Sequence, residues 1–381
     1  MALKGVKVLE LAGLAPAPFC GMVLADFGAS VIRIDKAGTA QLDSLGNGKR
    51  SIAINLKSTK GVDIFKRLCN QCDVVIDPYR KGVMEKLKLG PSDLMATNKK
   101  LIYARITGFG QDGPYAKMAG HDINYVGLSG LLSLFGRYKE KPTPPVNFAA
   151  DFGGGGLMCA FGIVMALYER NTSQKGQIID TSMVEGAAYL GSWFYKSLKL
   201  PWLWGQPRGK NILDTGAHFY DTYETKDGQY MAVGALESQF YAVLLEKLEL
   251  SEDDLPHFAD FEKGREKLTE IFQTKTQKEW CEIFDGSDAC VTPVLTFDNV
   301  ASHVHNRSQN SFAMGKDDLL IPNPAPRLSR TPGISCSIQS PNIHVGEHSV
   351  QILSEFKYSQ KEIKNFIENG VVEQAMKNSK L

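Results

Sequence analysis

Short apolar runs alternate with helically spaced apolar positions along the first 110 residues. "VKVLEL" (6–11), "SVIRID" (30–35), "SIAINL" (51–56), "DVVID" (73–77) and "LIYARITG" (101–108) read as strands. "PFCGMVLADFG" (18–28) reads as a helix closed by Gly28, and "TKGVDIFKRLC" as a second. Apolar strands separated by helices predict a parallel α/β sheet with helices on both faces. The pattern then changes. Residues 121–135 and 152–170 read as helices, and "QIIDTSMVEGAAYLGSWFY" continues as strand and helix. Pro201, Trp202, Trp204, Pro207 and Gly209 mark 200–220 as a connecting segment. "HFYDTYETKDGQYMAVGAL" reads as two strands around Lys226-Asp227-Gly228, a hairpin signal. Helices are expected at about 238–248 and 261–285. The Pro- and Ser-rich segment 316–345 reads as a return linker before the short helix "KEIKNFIENG".

Composition narrows the function class. The 381 residues are 43% hydrophobic and 22% charged, as in ordinary globular proteins of two or three domains. Lys+Arg 43 against Asp+Glu 42 leaves no broad basic surface for nucleic acid. The strongly apolar "LMCAFGIVMALY" (157–168) is too short to span a bilayer and reads as a buried helix. "MALKGVKVLEL" enters a strand directly, so no signal peptide is expected. Seven widely spaced cysteines predict reduced thiols. Cys69 and Cys72 form a CxxC at the wrong end of a helix for a redox pair, and no second CxxC follows. The chain ends Ser379-Lys380-Leu381, which reads as an address for the peroxisomal import receptor rather than as a frayed polar tail.

Charges near strand ends suggest an anion site. The first strand-to-helix turn, "LAGLAPAPFCG", lacks G-x-G-x-x-G, so a dinucleotide reading is unsupported. Asp35 stands where a ribose-binding acid would sit, but Lys36 follows and favours a phosphorylated ribose. "GNGKRS" (46–51) is a Gly-rich basic turn, and Lys57, Arg80 and Lys86 add cations near later strand ends. Each is either a ligand contact or a solvated surface charge.

The candidate chemistry lies in "AGHDINYVGLSG" and "ADFGGGG". Asp151-Phe152-Gly153 is no kinase motif, because no H-R-D or Gly-rich nucleotide loop accompanies it. His121 opens a helix, either as an inert histidine or as a base kept neutral by the helix dipole. Asp122 reads as a cap, and Asn124 as a residue that orients neighbours. Asp151 is either a helix N-cap or a carboxylate base. The four glycines after it suit close approach of a ligand to backbone amides, which also stabilise a developing oxyanion. Glu237 reads as an acid at a helix start.

Together "LAGLAPAPFCGMVLADFGASVIRID", "GHDINYVGLSG", "ADFGGGG", "KGQIIDTSMVEG" and "VGALESQFY" resemble the α-methylacyl-CoA racemases of the family III CoA-transferase superfamily, from the first strand to about residue 330. The resemblance implies His121 and Asp151 as the two catalytic bases, with Glu237 in support. It implies CoA contacts at Lys36, Ile54, Asn55, Leu56, Lys57, Pro78, Tyr79, Arg80, Lys86, Gly120, Asp122, Ile123, Asn124 and Tyr125. Lys36 and Lys86 stand where relatives commonly carry arginine, and Asn55 replaces a common aspartate; lysine keeps the charge without the planar fork. A large Rossmann-like domain is expected from 1–185 and 316–381, with a linker at 186–220 and a small α/β domain at 221–315. The implied assembly is an interlocked homodimer. The implied activity is an isomerase acting on 2-methylacyl-CoA thioesters of branched-chain fatty acid and bile acid metabolism, in the peroxisome with a mitochondrial share, without metal or redox cofactor. The alternatives are a family III transferase with Asp151 as nucleophile, or a non-catalytic acyl-CoA binding protein.

Overall fold

A computed structural model describes residues 1–39 and 43–375. Val, Ile and Leu fill the first strands because both faces of their sheet are covered. The strands β1 (Lys7–Leu11), β2 (Ser30–Asp35), β3 (Arg50–Ile54), β4 (Val74–Asp77), β5 (Ile102–Thr107) and β6 (Ile178–Ser182) run parallel in the spatial order 3-2-1-4-5-6. This is the doubly wound order. Its ligand crevice lies beyond the carboxyl ends of the strands, where the order reverses between β1 and β4. The expected large, mostly parallel sheet is therefore present.

Helices α1 (Pro16–Asp26), α2 (Thr59–Cys69), α3 (Val83–Lys86), α4 (Pro91–Thr97) and α5 (Asp122–Leu128) follow in turn. Ser58 caps α2 by accepting the Gly61 amide at 3.0 Å. The helix expected over 121–135 breaks early. Gly130 takes φ +83°, and only a short 3-10 turn follows at Leu131–Leu134. The next helix is longer than expected: a π-helical stretch, Phe148–Leu157, continues into α6 (Met158–Ser173). The 26 residues Phe148–Ser173 are long and apolar enough to cross a membrane, unlike the 157–168 run alone, but over half of their most apolar window is buried within the protein. Helix α7 (Met183–Leu190) packs against the π-helix.

The contacts divide the chain into two units. One is Met1–Ser129, Pro145–Leu190 and Val304–Leu381; the other is Gly130–Pro144 and Gly191–His303. The segment expected as a linker is thus divided: 186–190 completes α7, whereas 191–220 belongs to the second unit. The segment after 303 rejoins the first unit earlier than expected. It carries the hairpin β10 (Phe312–Met314) and β11 (Leu320–Pro322), and then β12 (Val372–Glu373), which pairs antiparallel with β3. That pairing sets Val372 opposite Ile54 and closes the sheet edge.

The second unit holds the antiparallel sheet β7 (Tyr220–Glu224), β8 (Tyr230–Gly234) and β9 (Val291–Pro293). The single helix expected at 261–285 is two, Phe261–Phe272 and Gln277–Phe284, because Thr276 starts a new capping box with Glu279. The core of this unit contains a buried histidine. Tyr241 donates its hydroxyl proton to Leu255 O at 2.9 Å, so it accepts from His218 Nε2 at 2.8 Å. His218 Nδ1 is then unprotonated and has no hydrogen-bond partner among the described residues. Burial, helped by His257 and Arg265, lowers the His218 pKa from 6.5 to about 4. The unfolded chain takes up this proton below about pH 6.5, and the folded one only near pH 4. Stability is expected to fall as pH drops through that window, by on the order of 2–3 kcal/mol for this group. Denaturant midpoints measured between pH 7 and 4 for the parent and His218→Gln check it, and the variant's slope should be shallower.

Candidate active site

His121 is the exposed N-cap of α5, held in extended backbone with φ −133°. Asn124, three residues on, accepts the His121 amide on Oδ1 at 3.0 Å. Tyr125 donates its hydroxyl to Gly120 O and packs edge-on against Phe109, with ring centroids 5.0 Å apart. The carbonyl of Gly120 and the amide of His121 are therefore both tied down by side chains of the helix that His121 opens.

Asp122 turns inward and is 1% exposed. Its Oδ2 accepts the amides of Ala150 and Asp151, each at 2.8 Å. The first amides of a helix have no partner within it. Here a carboxylate from another segment supplies the acceptor, so Asp122 caps the π-helix rather than its own. Its side chain cannot also reach a nucleotide, and any contact of Asp122 with CoA must come from its backbone. Ile54, expected among the CoA contacts, is buried too and offers only its backbone.

Asp151 lies inside the π-helix, not at its cap, and is 7% exposed. Asn147, one turn earlier, donates Nδ2 to Asp151 Oδ2 at 2.8 Å. Burial raises the pKa of Asp151; the Asn147 hydrogen bond opposes this, the Asp122 charge adds to it, and the charge of His121 opposes it. The net effect is upward, so this carboxyl holds a proton to higher pH than an ordinary aspartate. Asn147 was not legible as a site residue, because the Pro-rich approach at 143–145 hides the start of the helix.

The glycines serve packing. A Cβ on Gly154 would stand 2.4 Å from the Ala187 amide nitrogen, and one on Gly156 would stand 2.7 Å from Pro16 O. Reciprocally, a Cβ on Gly186 would lie 1.9 Å from Gly154 O. The backbones of α7 and α1 occupy the space expected for a ligand. The absent side chains allow α7, α1 and the π-helix to close on one another around Asp151.

A cavity of about 260 Å³ brings together Pro78, Arg80, Gly120, His121 and Tyr125, with Thr107, Gly108 and Phe109 from the end of β5. Lys36, Lys57 and Arg80 are exposed and follow the carboxyl ends of β2, β3 and β4. Lys86 is exposed at the end of α3 and does not line this cavity. Asn55, Leu56 and Tyr79 are half-buried between these positions, whereas Ile123 is exposed beside His121. A larger cavity of about 710 Å³ is lined by Phe148 and Phe152 of the π-helix together with Phe19, Leu319 and Ile321. Glu237 lies in the second unit, exposed at the start of the helix Ser238–Lys247, where its side chain makes no capping bond.

Two other expected features are structural. Asp35 is buried, accepting from Arg33 Nε at 2.9 Å and from the Ser51 hydroxyl, so it is not poised for a ribose. In "GNGKRS", Lys49 is buried against Glu10 at 2.8 Å and donates to Pro18 O at 2.9 Å, while Arg50 pairs with Glu355. That turn pins α1 to β1 instead of offering charge to an anion. Cys69 and Cys72 are buried, which pushes both thiols up to about 12 and leaves them unreactive.

The CoA-transferase family III model matches residues 3–349. The chain is 54% identical over 376 residues to a protein of Mus musculus named alpha-methylacyl-CoA racemase, covering 98% of each chain. It is 51% identical over 377 residues to the protein of that name from Homo sapiens, again covering 98% of each. The crystal structure of a CAIB/BAIF family protein from Brucella suis superposes with a TM-score of 0.78 at 25% identity, over 93% of this chain and 99% of that one. Matched over nearly its whole length by family model, relatives and fold, the chain belongs to CoA-transferase family III.

Proposed function

We propose that the protein is an isomerase that interconverts (2R)- and (2S)-2-methylacyl-CoA thioesters. The observation that carries this reading is the pair His121 and Asp151: two proton carriers on separate segments, fastened together through Asp122. The thioester acidifies the proton on C2. One base removes it, the C–H electrons pass into a planar enolate, and the other group returns a proton to the opposite face. Asp151, with its raised pKa, is suited to hold the proton it must give back. His121 is assigned to the S epimer and Asp151 to the R epimer, with Glu237 in support. The exposed cations Lys36, Lys57, Arg80 and Lys86 suit the phosphates of CoA, and the apolar cavity beside Phe148 and Phe152 offers room for an acyl chain. Proton transfer of this kind requires no metal or redox cofactor.

Chiral analysis tests this reading. Either pure epimer, without any free acid, should yield a mixture of both. A strict need for a second acid, with transfer of CoA to it, would favour a transferase that uses Asp151 as nucleophile.

The active form in this proposal is a homodimer. Leu157, Phe161, Val164, Met165 and Tyr168 recur at helical spacing and form an exposed apolar stripe that a second copy would cover. The proposed compartment is the peroxisome. Ser379, Lys380 and Leu381 lie outside the described residues, and their sequence alone supports this compartment. Removing them from an N-terminally tagged chain should move it to the cytosol and leave activity in vitro intact. Unchanged import would place the address elsewhere.

A further inference from the structure

We propose that Asp122 is a positioning residue for Asp151: its buried carboxylate clamps the backbone that carries Asp151 and keeps a second negative charge beside it. The inference rests on the two-base reading above. Three observations carry it. Oδ2 accepts the Ala150 and Asp151 amides at 2.8 Å each. The side chain is 1% exposed, so solvent does not compete for these bonds. Oδ1 is buried with no hydrogen-bond partner among the described residues. Leaving a buried carboxylate oxygen unpartnered is costly. A neutral side chain would serve a cap at lower cost, so the charge itself has a use.

That use is its effect on a neighbouring acid. Asp122 raises the pKa of Asp151, while His121 and the Asn147 amide oppose it. The other acidic and basic groups of the described elements packed against the π-helix are engaged elsewhere or turned outward. Asp26 of α1 binds the Cys336 amide; Asp180 of β6 pairs with Arg105 of β5; Arg170 of α6 pairs with Asp73; Glu169 of α6 meets Ser173. Glu185 of α7 is exposed, Tyr125 of α5 binds Gly120 O, and the Cys20 and Cys159 thiols contact each other. Asp122, bonded to the Asp151 amide, is thus the carboxylate that bears on the Asp151 side chain.

Asp122→Asn separates charge from clamp, because the amide oxygen can still accept both N–H groups. Asp122→Ser removes both, since its hydroxyl is too short to span the gap. In protein carrying 13C-labelled aspartate carboxyls, with the Asp151 signal assigned by its loss in Asp151→Asn, the Asp151 titration should move to lower pH in Asp122→Asn. The acidic limb of the kcat profile should move the same way. Asp122→Ser should also lose roughly 10- to 100-fold in kcat with KM held, as expected for a displaced catalytic group. Circular dichroism identifies folded variants, and either one reads out the charge effect if the other fails to fold. An unmoved Asp151 titration in a folded variant overturns the proposal, as does parent kcat in Asp122→Ser or failure of both variants to fold. A parent protein that exchanges no C2 proton, yet shows the titration shift, would remove the racemase reading and leave the clamp standing.

Discussion

Asp151→Asn is expected to lower racemisation of either epimer by ~10²–10⁴-fold while the protein stays folded. Each direction needs one group to take a proton and the other to give one, so neither direction survives the loss of either group. The amide keeps the size of the side chain and can still hydrogen-bond Asn147, the neighbour that donates to it at 2.8 Å. The Asp122 clamp acts on backbone amides and is untouched. His121→Ala should cost as much in net racemisation, but the two variants should differ in isotope exchange. Each keeps one base, which can remove a proton from the epimer it faces and return a solvent proton on that face. Asp151→Asn should exchange the S epimer preferentially, and His121→Ala the R epimer. Parent racemisation rates in a folded Asp151→Asn would reduce Asp151 to a structural residue.

A second large effect concerns stability. Gly186→Ala should destabilise the protein by roughly 1–3 kcal/mol or more, the range for overpacking a close-packed interior. The added methyl would meet Gly154 O at 1.9 Å, and neighbouring backbone atoms at 2.6 and 2.8 Å. Both partners are main chain, so no rotamer change relieves the clash, and the helix carrying Asp151 must move. Gly162→Ala is the matched control. It lies in the same long helix, but its nearest neighbour is an Ile179 side-chain methyl at 3.3 Å. Alanine also has a helix propensity about 1 kcal/mol better than glycine. Thermal and denaturant unfolding should show a large loss for the first and little change for the second. Equal effects would mean that α7 and the π-helix are not packed backbone to backbone.

Much of the sheet was legible because local pattern decides it. The five strands of the first 110 residues and the helix 59–69 follow from apolar runs, caps and glycine stops that act within a few residues. The hairpin around Asp227-Gly228 was legible for the same reason. What escaped depends on contacts distant in sequence. The glycines after Asp151 read equally as a ligand cradle, and only the approach of Pro16, Gly186 and Ala187 makes them packing residues. Lys49 read as a surface cation until Glu10, 39 positions earlier, was seen against it. Asp122 read as a cap for its own helix, whereas it caps one that begins 26 residues later. The same limit hid the π-helical stretch, since a wider helical turn has no separate sequence signature at this length. His121 and Asp151 were both picked out from sequence, but that one carboxylate fastens the start of α5 to the backbone of Asp151 could be learned only from the fold.

The most direct test of two-base racemisation is C2 exchange in heavy water. Pure (2R)- and pure (2S)-2-methylacyl-CoA, incubated separately with the protein and no other acid or nucleotide, should each gain deuterium at C2 as the opposite epimer appears. Complete epimerisation with protium retained at C2 in both experiments would contradict proton exchange through His121 and Asp151.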